Sequence, residues 1–279
     1  MKNVLLTGGT GFIGRNVKTY LEKICHLFAP NRMELNLLDE QQVESYIRDN
    51  KIDIVIHSAN PNPVKNQLDK QENFFEDSIR VFMNLYHAEK YYERMYTLGS
   101  GAEYDKSRDI ELVKEEEEGR SVPYDSYGLA KYCINHIIEK SEKQCNLRIF
   151  ACYGPTDHYT KFITHCIDCC LRNEDITIRQ NCYFDYMQVS DLEKILEHFI
   201  YHEPKYRAYN VCTGTRYTLE EIAKMVRQQM QIENKIVILN PGWNKEYTGS
   251  NERLQEELGG YNFMTLEEGI RIQIKSQKL

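Results

Sequence analysis

Short apolar runs and longer mixed stretches take turns along the first half of the chain. The runs at 1–6, 26–29, 52–57, 95–98 and 147–150 predict buried strands. Ile52-Asp53-Ile54-Val55-Ile56-His57 is the plainest of them. The stretches at 12–23, 41–50, 73–94 and 126–143 predict helices. The third is amphipathic and rich in aromatics, with Phe74, Phe75, Phe82, Tyr86, Tyr91 and Tyr92. Strands and helices alternating in this way imply an α/β fold, a doubly wound parallel sheet covered on both faces. The break at Asn60-Pro61-Asn62-Pro63 follows a strand's carboxyl end, where open α/β sheets bind ligands.

The first strand runs into Thr7-Gly8-Gly9-Thr10-Gly11-Phe12-Ile13-Gly14. Glycine recurs at every third position, as Gly8, Gly11 and Gly14. Without a Cβ the backbone turns tightly and lets a phosphate come close. The helix that begins at Phe12 and Ile13 aims free N–H groups and its positive dipole end at that anion. Gly14 lets this helix lie close against the strand. A glycine triplet alone means little. Strand, loop, helix and second strand around it make a βαβ dinucleotide-binding unit.

The second strand ends Phe28-Ala29-Pro30, and Asn31-Arg32-Met33-Glu34 follows. An NAD site carries a carboxylate at this tip for the ribose hydroxyls. None stands here, and Arg32 can form a forked pair with a phosphate. The expected cofactor is therefore NADP(H), with NAD(H) the alternative if Arg32 is only a solvated loop charge.

Tyr127-Gly128-Leu129-Ala130-Lys131 sets a tyrosine and a lysine on one face of a helix. A free tyrosine titrates near ~10, and a cation held beside it favours the phenolate. The pair can then give or take a proton from a carbonyl or alcohol. Ser100, at the end of a strand, can donate to the same oxygen. The spacing alone is common on surface helices. Joined to a glycine loop and a strand-end serine, it marks Ser100, Tyr127 and Lys131 as the catalytic group.

Composition narrows the class. Hydrophobic residues make up 41% and charged residues 28%, enough for a buried core. A net charge of −7 argues against nucleic acid as a partner. No apolar run approaches the ~20 residues of a membrane span, and the amino terminus enters a strand at once, so no membrane contact and a cytoplasmic location are expected. Nine irregularly spaced cysteines read as reduced core residues. The cluster His165-Cys166-Ile167-Asp168-Cys169-Cys170 lacks the second pair that zinc wants, so it reads as a buried helix face and no metal is expected.

In order along the chain, TGGTGFIG, VIHSAN, LGSGAEYD, YGLAK, YGP, DYMQVSDL and YNVCTGTRYTLEE resemble the extended short-chain dehydrogenase/reductases of the NAD-dependent epimerase/dehydratase family, which act on nucleotide-diphosphate sugars. NRMELNLLD is most similar to the GDP-L-fucose synthase and 4-ketoreductase branch. The resemblance implies a Rossmann-type sheet over 1–155 with a returning segment at 187–212. A smaller α/β substrate-binding domain would comprise 156–186 and 213–279. It also implies that Asp39 lies near the adenine, Ala59 near the adenosine ribose, and that Arg32 reads the extra phosphate.

Absent groups sort the reactions. The family's 4,6-dehydratases carry an acid pair right after the catalytic hydroxyl residue, whereas Gly101 and Ala102 follow Ser100, and strand alternation aims Glu103 elsewhere. Its fucose synthases epimerise with a cysteine where Ala102 stands and a histidine where Lys161, or in another register His165, stands. His158 and His165 otherwise read as packing or surface residues. A 4-ketoreductase using NADPH is the first reading, a 4-epimerase that retains NAD the second, and a catalytically idle binding protein the third. Ala151 and Phe184 replace usual sugar-nucleotide contacts, which leaves Arg179 and Arg253 as candidate diphosphate ligands or as surface charges. Asp191 is expected to cap or orient the helix over 192–201, Glu115–Glu118 to be a solvated loop, and Trp243 to lie in a turn near the pocket. The helices at 73–94 and 126–143 would form a homodimer interface, although packing within one chain gives the same pattern.

Overall fold

The computed structural model describes residues 1–61 and 73–277; Asn62 and Pro63 of the predicted break lie outside them. The chain alternates as the periodicity predicts: β1 (Asn3–Thr7), α1 (Phe12–Ile24), β2 (His26–Phe28), α2 (Glu40–Asp49), β3 (Ile54–His57), α3 (Phe74–His87) and β4 (Arg94–Ser100). It continues through β5 (Ile110–Val113), α4 (Ser126–Ile138), β6 (Gln144–Ile149), β7 (Ala151–Tyr153), α5 (Phe162–Arg172), β8 (Ile176–Ile178), β9 (Tyr183–Phe184) and β10 (Tyr186–Gln188). Then come α6 (Val189–Tyr201), β11 (Ala208–Val211), β12 (Tyr217–Thr218), α7 (Leu219–Met230), β13 (Ile236–Ile238), β14 (Tyr247–Gly249), α8 (Glu252–Leu258) and α9 (Leu266–Gln277).

The central sheet has the order β11-β6-β4-β3-β1-β2, and every pair in it is parallel. Alternation along β1 feeds two cores. Val4 and Leu6 pack with Val17 and Leu21 of α1 and Leu192, Ile195 and Phe199 of α6. Leu5 turns the other way, to Val43, Ile47, Phe82, Leu85 and Ile134 of α2, α3 and α4. Each such side chain contributes about 1.5–3 kcal/mol on burial. The chain runs to opposite sides from β1, to β2 on one flank and β3 on the other. That reversal opens the crevice at the strands' carboxyl ends.

A separate core joins α5, α7 and α9, with Cys166, Cys169 and Cys170 among Ile163, Ile222 and Ile270. The cysteine cluster is thus a buried helix face, and all nine cysteines are free thiols. Among the described residues no helix is long and apolar enough to cross a membrane.

Several expected boundaries move. The third helix stops at His87, because Ala88 N–H and Tyr91 N–H bond three residues back and tighten the chain into a 3-10 turn over Glu89–Tyr91. The fourth stops at Ile138, after which Lys143 Nζ donates to the Glu89 and Tyr92 carbonyls at 2.7 and 3.1 Å. Gln188, not Asp191, caps α6. Asp191 instead accepts from Tyr261 Oη at 2.9 Å and Met264 N at 3.2 Å, tying down the chain before α9.

The acidic run is the largest correction. Glu115 is buried and accepts from Asn210 N at 2.7 Å, and Glu118 accepts from Arg148 Nη2 at 2.6 Å and from Asn135 Nδ2. Arg148 sits wholly buried in β6, with its Nε 2.7 Å from Glu103 Oε2. A buried guanidinium needs both partners, so Glu118 turns inward with Glu115, while Glu116 and Glu117 stay exposed as expected. Replacing Arg148→Met strands Glu103 in the interior, and urea unfolding is expected to show a loss of about 3–5 kcal/mol. A loss below about 1 kcal/mol would mean that the ion pairs do not hold this region together.

Candidate active site

The turn after β1 depends on Gly8, whose φ of +73° suits glycine and whose absent Cβ would lie 2.7 Å from Ala59 N. Gly14 serves the same loop. A Cβ there would sit 2.2 Å from Gly8 O, so α1 rests on the loop's own backbone more than on the strand. Gly11 begins α1 with no side-chain cap. The first N–H groups of α1 therefore remain available to an anion. Thr7 Oγ1 accepts from Ala59 N at 3.2 Å and lies 2.9 Å from His57 Nδ1, which pins the ends of β1 and β3 together. Burial, and then the Lys131 charge, push His57 down to about 3, so the imidazole that meets Thr7 stays neutral.

A cavity of about 480 Å³ runs from this loop across the sheet. Gly8, Gly11, Phe12, Ile13, Arg32 and Ala59 line it. Ser100, Tyr127 and Lys131 line it too, as do Asp157, His158 and Lys161. The predicted cofactor loop and catalytic group therefore face one space. Gly14 lies behind it as packing, and Asp39 does not line it. Asp39 caps α2 by accepting from Gln42 N at 3.0 Å, and its neighbours Leu37 and Leu38 take the cavity wall.

Ser100 is the last residue of β4, and Tyr127 and Lys131 follow the Asp125 cap of α4 one turn apart. Lys131 is buried and donates from Nζ to the Leu98 carbonyl at 2.9 Å. Burial pushes it down to about 8, with Glu103 pulling the other way. Tyr127 is raised, because burial outweighs the opposing hydrogen bond with Ser100. In the free protein burial, and not the lysine, thus dominates the tyrosine's titration.

Glu103 points away from the cavity as expected, but not by strand alternation, because the chain leaves β4 at Ser100 and winds into a 3-10 turn over Gly101–Tyr104. Its Oε1 accepts from Ser100 N at 2.9 Å while Oε2 takes Arg148 Nε and Asn146 Nδ2. It therefore braces the turn that presents Ser100. Ala102 is buried without a reactive group. His158 Nδ1 meets Thr160 Oγ1 at 2.8 Å, and His165 lies against Cys169 Sγ on α5, at 3.6 Å.

The proposed diphosphate arginines are not brought here. Arg179 is exposed after β8, and Arg253 pairs with Glu116 and lies 4.8 Å over the Tyr206 ring. Trp243 stacks on Tyr183 at 5.1 Å, with Arg216 4.7 Å over the same ring, and neither aromatic lines the cavity. Phe184 packs on Tyr186 and Tyr247, each at 5.6 Å.

Two groups escaped the sequence reading. Asp157 enters the cavity and burial pushes it up to about 6; its place two residues after YGP was the available signal. Tyr247 brings its hydroxyl to 3.4 Å from Ser100 Oγ. No local pattern in EYTG marks it, because its partner is 147 residues away.

Residues 4–212 match the NAD dependent epimerase/dehydratase family. GDP-L-colitose synthase of Yersinia pseudotuberculosis is 23% identical over 299 residues, spanning 96% of this chain and 95% of that one. dTDP-D-glucose 4,6-dehydratase of Dictyostelium discoideum is 24% identical over 268 residues, which cover 81% of this chain and 62% of that protein's length. The solved UDP-glucose 4-epimerase of Thermotoga maritima shares the fold with a TM-score of 0.85 and 20% identity, covering 99% of this chain and 98% of the other. A glycine loop, a strand-end serine and a helical tyrosine–lysine pair around one crevice agree with that match, and this chain belongs to the NAD dependent epimerase/dehydratase family.

Proposed function

We propose that this protein reduces the C4 keto group of a nucleotide-diphosphate 4-keto-6-deoxyhexose with NADPH. The observation that carries the cofactor choice is Arg32 on the wall of the crevice where β2 ends without a carboxylate. The site fits a dinucleotide on its own terms. Gly8 and Gly14 let backbone approach backbone, the uncapped start of α1 faces the cavity, and Arg32 offers a fork to a ribose phosphate. When bound, the dihydronicotinamide supplies the hydride that reduces a carbonyl carbon.

This chain's own residues handle the proton. Ser100 donates to the carbonyl oxygen, which sharpens its polarity. Tyr127, raised by burial, holds its proton until the oxygen becomes basic enough to take it. Lys131, at about 8, is still charged at neutral pH and stabilises the phenolate that forms. Dehydration lacks the acid pair that the resemblance places right after Ser100, since Gly101 and Ala102 have none to offer and Glu103 is spent on Arg148. The similarity to GDP-L-colitose synthase along nearly the whole chain supports a nucleotide-diphosphate sugar as the substrate class. The core of α5, α7 and α9 is the natural substrate half, a division of 156–186 and 213–279 from the cofactor half at 1–155 and 187–212.

Mixing the protein with dTDP- or GDP-4-keto-6-deoxyhexose should consume NADPH stoichiometrically, read at the nicotinamide band. Tyr127→Phe should lower kcat by about 10²–10⁴. Absent net consumption, together with NAD that stays bound through purification, would move the reading to a 4-epimerase. Arg32→Ala should raise the KM for NADPH about 10–100-fold and leave that for NADH within about twofold, the size of one charge-assisted contact. Equal changes for both cofactors would remove Arg32 as the phosphate reader.

A further inference from the structure

Ser100 Oγ has one proton to give and two lone pairs to fill. One lone pair takes Ala102 N–H at 3.2 Å. Tyr247 Oη stands 3.4 Å from the same oxygen. That is longer than the roughly 2.5–3.0 Å of a formed hydroxyl pair, as catalytic hydrogen bonds often are before substrate binds and tightens them. We propose that Tyr247 is a positioning residue: it donates to Ser100 Oγ, fills the second lone pair, and so turns the single Ser100 proton toward Tyr127 and the reacting oxygen. This rests on reading Ser100, Tyr127 and Lys131 as the reacting centre.

The surroundings are built for that contact. Tyr247 is buried, and burial raises its phenol far above the ordinary range, so it remains a donor across the working pH. Its ring lies 5.2 Å from Phe150 and its strand is held by β5 and β9 on either side. The residue after Ser100 is glycine, and a Cβ on Gly101 would lie 2.8 Å from both Tyr247 Oη and the Phe150 ring. The tyrosine hydroxyl thus occupies the space a side chain at 101 would need. The family's dehydratases, by the resemblance above, carry an acid at that place. Here a neutral donor from a distant strand stands there instead. Ser100 in turn hydrogen-bonds Tyr127 and favours its phenolate, so a change at Tyr247 is felt at the proton donor.

The test is Tyr247→Phe, which keeps the ring and removes only the hydroxyl. Two readouts are taken on the whole protein: NADPH-dependent reduction of the 4-keto sugars, and the Tyr127 titration by ¹³Cζ-tyrosine NMR without substrate. Tyr127→Phe identifies the resonance. The expected result is a kcat lower by about tenfold, the size of one oriented hydrogen bond, with the KM values and melting temperature unchanged. The Tyr127 resonance should titrate at higher pH. Adding Tyr247→Phe to Ser100→Ala should cost nothing more, because the contact acts through Ser100. A full additional loss in the Ser100→Ala background, or an unmoved Tyr127 titration, would overturn the proposal. If the wild-type protein turns over no 4-keto sugar while the resonance still moves, the proposed function falls and the role of Tyr247 stands.

Discussion

The buried guanidinium of Arg148 governs the region beside Ser100. A charge with no exposed surface costs several kcal/mol unless its donors are matched. Glu103 takes Nε, Glu118 takes Nη2, and Tyr104 Oη lies 3.4 Å from Nη1. Each partner drags a piece of chain with it. Glu103 fixes the turn after β4 and, through its other oxygen, the Ser100 backbone. Glu118 folds the acidic segment inward, where Glu115 meets Asn210 of β11. Three neighbouring strands and the loop after β5 are thereby registered against one cation.

The cofactor crevice obeys a different constraint, which is backbone against backbone. Gly8 lies close to Ala59 and Gly14 close to Gly8, so three segments converge where side chains would not fit. The Thr7–His57 bond closes the base of this junction with a neutral imidazole. Positive character therefore comes from helix N–H groups and from Arg32, Lys131 and Lys161 on the cavity wall.

Burial then separates the titrating groups by type. It raises Tyr127 and lowers Lys131 to about 8, so the phenol keeps its proton at neutral pH and the lysine titrates nearer to neutrality. The same desolvation raises Asp157 on the cavity wall. Ser100 is the point where the two networks meet, braced from behind by Glu103 and approached from the side by Tyr247.

What the sequence by itself determined was whatever is encoded within a few residues. The period-two and helical patterns marked the parallel sheet, the glycine spacing marked the loop, and four residues placed Tyr127 and Lys131 on one helical face. Only the tertiary structure decided the pairings across long separations. Glu118 meets Arg148 over 30 residues, Asp191 meets Tyr261 over 70 and Ser100 meets Tyr247 over 147. Asp39 became a helix cap and Arg253 a partner of Glu116 for the same reason. A charge's local sequence shows that it needs a partner. Which partner it finds depends on the strands the fold lays side by side.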